Sequence, residues 1–320
     1  MDSVNRKLLN TASGIRILVV GDTMLDRYWL GDVDRISPEA PVPIINVNVV
    51  EECAGGAGNV AANIASLGAR CDLLSFIGDD DAGKRLDAIL AKAHVDRHLH
   101  IDAHGRTTEK LRIVSRNQQL LRADFEKAPS NDLIRQGVED FRSLNNEADV
   151  VVISDYGKGS LDHVEEMLAI SLLTKKPIII DPKGTDFSRY KGATVVTPNR
   201  SEFEAVTGVS ASGDAFRTAA FNLIEATGLE ALLVTQGDEG MTLFKDSGEM
   251  IHQAASALEV FDVSGAGDTV VAVIALGLGL GLSWRENVQL ATIGASAVVS
   301  RFGTSVVRVS DFSDSLDRSV

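Results

Sequence analysis

A series of short apolar runs recurs along this chain of 320 residues: IRILVVG (15–21), CDLLSFIG (71–78), ADVVVISD (148–155), KPIIIDP (176–182), ATVVTPN (193–199) and EALLVTQG (230–237). Most are blocks of Val, Ile and Leu with little alternation. Such a block suits a strand buried on both faces, which in turn requires a parallel sheet covered by helices on both sides. Helical segments separate several of the runs. GGAGNVAANIASLGA (55–69) carries an apolar stripe of Val60, Ile64 and Leu67, DAGKRLDAILAKAHV (81–95) is amphipathic, and others span about 131–145, 162–174 and 212–227. The rhythm predicts an α/β fold with a central, mostly parallel sheet flanked by helices.

Two stretches break that rhythm. RYWLGDVDRISPEAPVPIINVNVVEE (27–52) has three prolines, no helical pattern and a strand-like tail. GRTTEKLRIVSRNQQLLRADFE (105–126) alternates as hairpin strands do, over about Thr107–Ser115 and Gln119–Asp124. Together they predict a small discontinuous β-sheet lid over the main body, of a kind that excludes water around a bound substrate. The competing reading is two unconnected surface excursions. On this division residues 1–320 form a single domain, with 1–14 a loose leader and 309–320 a short tail.

Charge narrows the partners. Lys plus Arg number 31 against 45 Asp plus Glu, a formal charge of −14 with no basic block, and aromatics are 5%. Neither a phosphate-tracking face nor a base-stacking platform is expected, so no nucleic-acid partner is expected. The apolar run Val270–Leu282 is too short for a span of about 20 residues, and Gly277, Gly279 and Gly281 predict fraying or a turn at its end. No membrane association is expected. The opening residues lack a secretory signal, and the two cysteines, Cys53 and Cys71, have neither metal-site nor disulfide spacing. These features point to a cytoplasmic protein.

The stretch DVSGAGDT (262–269) opens that apolar run. Gly265 and Gly267 permit tight backbone geometry, and Ala266 adds little bulk. A helix starting near Asp268 aims unpaired N–H groups and its dipole at one point, an anion hole. Phosphoryl transfer needs such fixed donors, with Asp268 placed to accept the proton of an attacking hydroxyl. The dipole is expected to depress the basicity of Asp268. The plainer alternative is that Asp268 caps the helix and the glycines only turn the chain. No GxxxxGK[ST] occurs, and the first strand meets GDTMLD rather than GxGxxG.

Other polar clusters sit at strand ends. In TPNRSEFE (197–204), Asn199 and Glu202 can face a hydrated Mg²⁺ or form a capping box, and the two are compatible. SDYGKGS (154–160) places Asp155 and Lys158, and DPKG (181–184) places Lys183, at the ends where α/β sheets hold ligands. Either lysine can meet a phosphate or simply face solvent.

In this order, GDTMLDRY (21–28), GGAGNVAANIASLGA, VVISDYGKG (151–159), TPNRSEFE, VTQGDEG (234–240) and DVSGAGDTVVA (262–272) resemble the ribokinase-like (PfkB-type) carbohydrate kinases over about residues 15–305. The resemblance implies ATP and Mg²⁺ as cofactors, γ-phosphoryl transfer to a sugar hydroxyl, and a homodimer through the β lid. It implies Asp268 as base and Gly265, Ala266 and Gly267 as the anion hole. Asp22, Asp26, Gly56 and Asn59 are implied for the sugar, Asn199 and Glu202 for the Mg²⁺–phosphate network, and Thr235 and Gly237 for the nucleotide. The commoner family turn is D-T-x-G-A-G-D; Val263 replaces the threonine, which touches local packing more than the chemistry.

Within that family, DRYWLGDVDRISPEAPVPI (26–44), the glycine-rich helix and SDYGKG resemble the kinases of D-glycero-β-D-manno-heptose 7-phosphate, which make the 1,7-bisphosphate on the route to nucleotide-activated heptose for lipopolysaccharide. A phosphorylated sugar needs cations. The candidates are Lys110, Arg112 and Arg116 on the lid, with Lys158 and Lys183 at the sheet edge, and Lys158 is favoured. No H-x-G-H nucleotidyltransferase motif is present, so the expectation is kinase chemistry alone, whether as a separate enzyme or as part of a bifunctional one.

Overall fold

Ile17 and Val19 pack on one side of a nine-stranded sheet, Leu18 and Val20 on the other, and none of the four reaches solvent. The near-continuous apolar run follows from that two-sided burial. A computed structural model describes residues 11–116, 118–256 and 260–312. In chain order they form β1 (Arg16–Gly21), β2 (Thr23–Ile36), β3 (Pro43–Gly56), α1 (Ala57–Ser66), β4 (Arg70–Gly78), α2 (Asp81–Lys92), β5 (Asp96–Asp102), β6 (Glu109–Ser115) and β7 (Gln118–Phe125). There follow α3 (Asn131–Glu147), β8 (Val150–Ser154), α4 (Val164–Thr174), β9 (Ile178–Asp181), β10 (Val195–Val196), α5 (Arg200–Thr207) and α6 (Gly213–Thr227). The last elements are β11 (Ala231–Thr235), β12 (Met241–Lys245), β13 (Met250–Gln253), α7 (Ala266–Gly279) and α8 (Trp284–Val299).

The main sheet has the order β13-β12-β11-β10-β9-β8-β1-β4-β5. It is parallel from β11 to β5, and β12 and β13 add an antiparallel edge. Helices α1, α7 and α8 cover one face, and α3, α4 and α6 cover the other. Most of the leader and tail, residues 1–10 and 313–320, lies outside the described residues.

The lid is a four-stranded sheet of order β3-β2-β6-β7. It is wider than the sequence pattern indicates, because the prolines at 38, 41 and 43 fall in and beside the turn of a long β2–β3 hairpin instead of preventing one. The hairpin leaves the main sheet directly after Asp22 and returns directly into α1. β2 pairs in parallel with β6, setting Asp26 opposite Lys110 and Tyr28 opposite Arg112.

Of the two endings expected for the apolar run of α7, fraying or a turn, the structure shows the turn. The helix does not fray at Gly277; it continues to Gly279, and the chain turns only at Gly281, whose φ is 66°. Asp268 through Gly277 are all buried, because α7 lies between the sheet, α1 and α8. The glycines are there for close approach: a Cβ on Gly277 would stand 1.6 Å from Asn287 Oδ1 on α8. Among the described residues no helix is long and apolar enough to cross a membrane.

Candidate active site

The C-terminal ends of β1, β8, β9 and β11 and the segment after β10 bring Asp22, Asp155, Asp181, Thr235 and Asn199 to one edge of the sheet, where doubly wound folds place ligands. Asp22 is buried and holds a loop. Its Oδ2 accepts from the amides of Tyr156 and Lys158, both at 2.9 Å, and Oδ1 from the amide of Ser160 at 3.1 Å. Asp155 accepts from Gly157 N at 2.8 Å and from the Tyr190 hydroxyl at 2.7 Å, and burial raises its pKa. The SDYGKG segment is therefore fixed from both sides.

Facing this loop is the start of α7. Gly265 precedes the helix at φ 78°, and a Cβ there would lie 2.6 Å from Asn59 Nδ2. Both facts require glycine. The amides of Gly267 and Asp268 meet no acceptor among the described residues, and the space where a Gly267 Cβ would sit is open for 4 Å. An anion has donors and room at this helix terminus. Val263 is 70% exposed, so the departure from threonine loosens no core contact.

Asp268 is not a helix cap. Its Oδ2 accepts from Asn59 Nδ2 at 2.7 Å and its Oδ1 from the Tyr156 hydroxyl at 2.5 Å. Burial pushes its pKa up to about 6, against the pull of those two hydrogen bonds. The sequence reading expected the helix dipole to depress it; desolvation of a 3%-exposed carboxylate prevails. A carboxylate tuned this way can take a proton near neutrality. Asn59, expected beside the sugar, bonds this carboxylate. Gly56, at φ 58°, leaves no room for a side chain beside Asp22 O and the Tyr156 ring.

The lid supplies the opposite wall. Asp26 Oδ1 accepts from Arg112 at 2.6 Å, and the Arg112 guanidinium lies 5.1 Å from the Tyr28 ring centre. Lys110 Nζ stands 5.5 Å from the centre of the Tyr156 ring, and burial lowers its pKa. Arg116 is a correction. It lies in the turn after β6, highly exposed and 3.8 Å from Asp34, six residues and about 20 Å of strand beyond Lys110. The register that puts Asp26 beside Lys110 carries Arg116 away from the site. Lys158 Nζ is paired with Glu126 at 2.5 Å, and Lys183 Nζ with Glu202 at 2.9 Å. Among the described residues, Lys110 is the one candidate cation with no carboxylate at ion-pair distance.

Asn199 and Glu202 form a complete capping box on α5, each side chain bonded to the other's amide at 3.0 Å. Thr235 bridges in parallel to Asn199, and Gly237 follows at φ 64°. Two residues of this edge were not singled out from sequence. Tyr156 lies inside SDYGKG, and Asp181 is the aspartate of DPKG. Burial, with Asp268 and Glu202 nearby, raises the Asp181 pKa well above the ordinary carboxylate range.

Residues 15–309 match the description pfkB family carbohydrate kinase. The chain belongs to that family. Pairwise likeness agrees with the assignment of this pfkB-family chain. It is 48% identical to the bifunctional protein HldE of Methylococcus capsulatus over 91% of its own length and 62% of that protein's, and 47% identical to the HldE of Pasteurella multocida over 91% and 61%. It therefore spans less than two thirds of those relatives. It is also 47% identical to a D-beta-D-heptose 7-phosphate kinase of Bordetella bronchiseptica, over 92% of this chain and 94% of that one.

Solved structures share the fold of this pfkB-family chain. Arabidopsis thaliana ribokinase, complexed with ribose and ATP, superposes with a TM-score of 0.76 at 20% identity, over 93% of this chain and 98% of that one. Phosphofructokinase-2 from Escherichia coli gives 0.79 at 22% identity, over 94% and 97%. The family is one of carbohydrate kinases.

Proposed function

We propose that the acceptor is D-glycero-β-D-manno-heptose 7-phosphate and that its anomeric C1 hydroxyl is phosphorylated, giving the 1,7-bisphosphate and ADP. The observation that carries the chemistry is a buried carboxylate, Asp268, with a pKa of about 6, one residue from open amides at a helix N-terminus. Asp268 accepts the C1 hydroxyl proton as that oxygen bonds to the γ-phosphorus, and the bond from phosphorus to the departing ADP oxygen breaks. The amides of Gly267 and Asp268, unpartnered among the described residues and beside Gly265, receive the charge on the transferring oxygens, whereas the Ala266 amide, also expected in the anion hole, already donates to Val263 O at 3.3 Å. The choice of sugar rests on the heptose 7-phosphate kinase named among the relatives.

Lys110, not Lys158, is the cation we assign to the substrate's phosphate. It has no competing ion pair, and burial that lowers its pKa is offset when an anion arrives. Thr235 and Gly237 border the nucleotide. Mg²⁺ fits near Asn199, Glu202 and Asp181. The carboxylates crowding Asp181 favour a cation, while among the described residues no group of three acidic, His or Cys side chains forms a protein-only metal site. Asn199, Glu202 and Asp181 would hold the ion together with phosphate and water, and it would supply neutralisation of charge on the phosphates. A homodimer through the lid is part of this reading, supported by exposed Val47, Val49 and Val50 on β3 and Leu121 on β7.

An ADP-release assay over hexoses, hexose phosphates, nucleosides and the heptose 7-phosphate tests the acceptor. The heptose phosphate should give the highest kcat/KM. Strong activity on an unphosphorylated sugar with none on the heptose phosphate overturns it.

A further inference from the structure

We infer that Tyr156 is a positioning residue for the proton acceptor: its hydroxyl, with the Asn59 amide, clamps the Asp268 carboxylate at both oxygens and sets its orientation and basicity. The inference rests on the reading of Asp268 as the base. The clamp is a pair of charge-assisted hydrogen bonds, 2.5 Å to Oδ1 and 2.7 Å to Oδ2, inside a buried pocket.

Several independent contacts leave Tyr156 little freedom. Its amide is held by Asp22 at 2.9 Å, and the next carbonyls follow a turn whose Gly157 and Gly159 have φ of 66° and 101°. Its ring lies against Gly56, where a Cβ would come within 3.4 Å of Cδ2, and beneath Lys110 Nζ. Asp22 therefore anchors, through one loop, the tyrosine that reaches Asp268. Asn59 is held likewise, its Oδ1 accepting from Asn63 Nδ2 at 3.1 Å. Each donor that aims at the carboxylate is itself aimed.

Two opposing influences meet at Asp268. Burial, and to a lesser degree the charge of Asp26, raises its pKa; the two donors, with the tyrosine the larger, and then the charge of Lys110 lower it. Without the clamp the carboxylate would sit higher and hold its proton over more of the range below neutrality, narrowing the pH range in which it serves as a base. Tyr156 itself stays protonated, because burial and the neighbouring Asp268 raise its pKa well above 10. It donates throughout the working range and takes no part in proton transfer.

The test is Tyr156→Phe, read by ¹³C-carboxyl NMR of aspartate-labelled full-length protein. The Asp268 resonance is identified by its loss in Asp268→Asn. Removing a donor from the ionised form raises the pKa, so the titration midpoint should move up by about one unit. In steady-state kinetics the acid limb of kcat should move by the same amount, so that kcat at pH 6 falls about fivefold while kcat at pH 8 changes little through ionisation. The KM for ATP should change by no more than about twofold, since the nucleotide residues are untouched.

Incorporating 3-fluorotyrosine at 156, whose hydroxyl donates more strongly and whose shape is nearly unchanged, should move the midpoint down; this arm stands even if the phenylalanine variant folds poorly. A midpoint that moves with neither replacement overturns the inference, as does a fall in kcat with an unmoved acid limb, which marks a packing role alone. The NMR titration needs no substrate, so it separates this inference from the choice of sugar. If Asp268→Asn keeps its turnover, the base assignment fails and this inference fails with it.

Discussion

Asn59 and Asp268 are 209 residues apart in the chain and joined by a 2.7 Å hydrogen bond between the first turns of α1 and α7. The helix that closes the lid hairpin is thereby fastened to the helix that opens the anion turn. Lid, loop and carboxylate are one mechanical unit, since the residues on either side of the β2–β3 hairpin, Asp22 and Asn59, hold Tyr156 and Asp268 respectively.

The acid limb of activity follows from burial. Asp268 accepts a proton only when ionised, and its folded pKa is about 6. The rate should rise with pH through about 6 and fall tenfold per unit below it. A profile of kcat against pH checks this. A limb near 4, the range of an exposed carboxylate, would show that another group controls the rate.

Lys110→Met should raise the KM for the phosphorylated acceptor by about ten- to a hundredfold, the loss of one charge-assisted bond, with a smaller change for ATP. Lys158→Met should do much less, because Lys158 is already paired with Glu126. Initial-rate kinetics on both variants give the comparison. Equal effects would remove the distinction drawn between them.

Gly277→Ala tests the packing of α7. In an open helix this change would stabilise by up to about 1 kcal/mol. Here the added carbon collides with Asn287 Oδ1, a buried atom that lacks a hydrogen-bond partner among the described residues. The variant should be destabilised by about 1–3 kcal/mol, measured by urea denaturation, with little change in KM.

The central sheet was legible because Val, Ile and Leu runs such as 150–153 are buried on both faces, a demand that leaves few alternatives. β5, DRHLHID, was not anticipated: it is an edge strand with one covered side and so carries no apolar block. β2 was hidden for a related reason. It starts buried at Thr23 and ends exposed at Ile36, so no single period describes it. Helix α8 did leave a signal in SWRE (283–286), which forms a capping box. At the site, residue types and strand-end positions were visible, but partners were not. Asp268 was found from its turn, whereas the reach of Tyr156 to it depends on a loop fixed by Asp22 across 134 residues. The pairing of Lys158 with Glu126 is tertiary in the same way.

The sharpest measurement compares phosphoryl transfer and acceptor binding in Asp268→Asn against the unaltered protein. Turnover should fall by about 10²–10⁴-fold, while calorimetric affinity for the acceptor stays within a few-fold, since the amide keeps the shape and loses only the capacity to take a proton. Near-normal turnover in this variant would contradict the account.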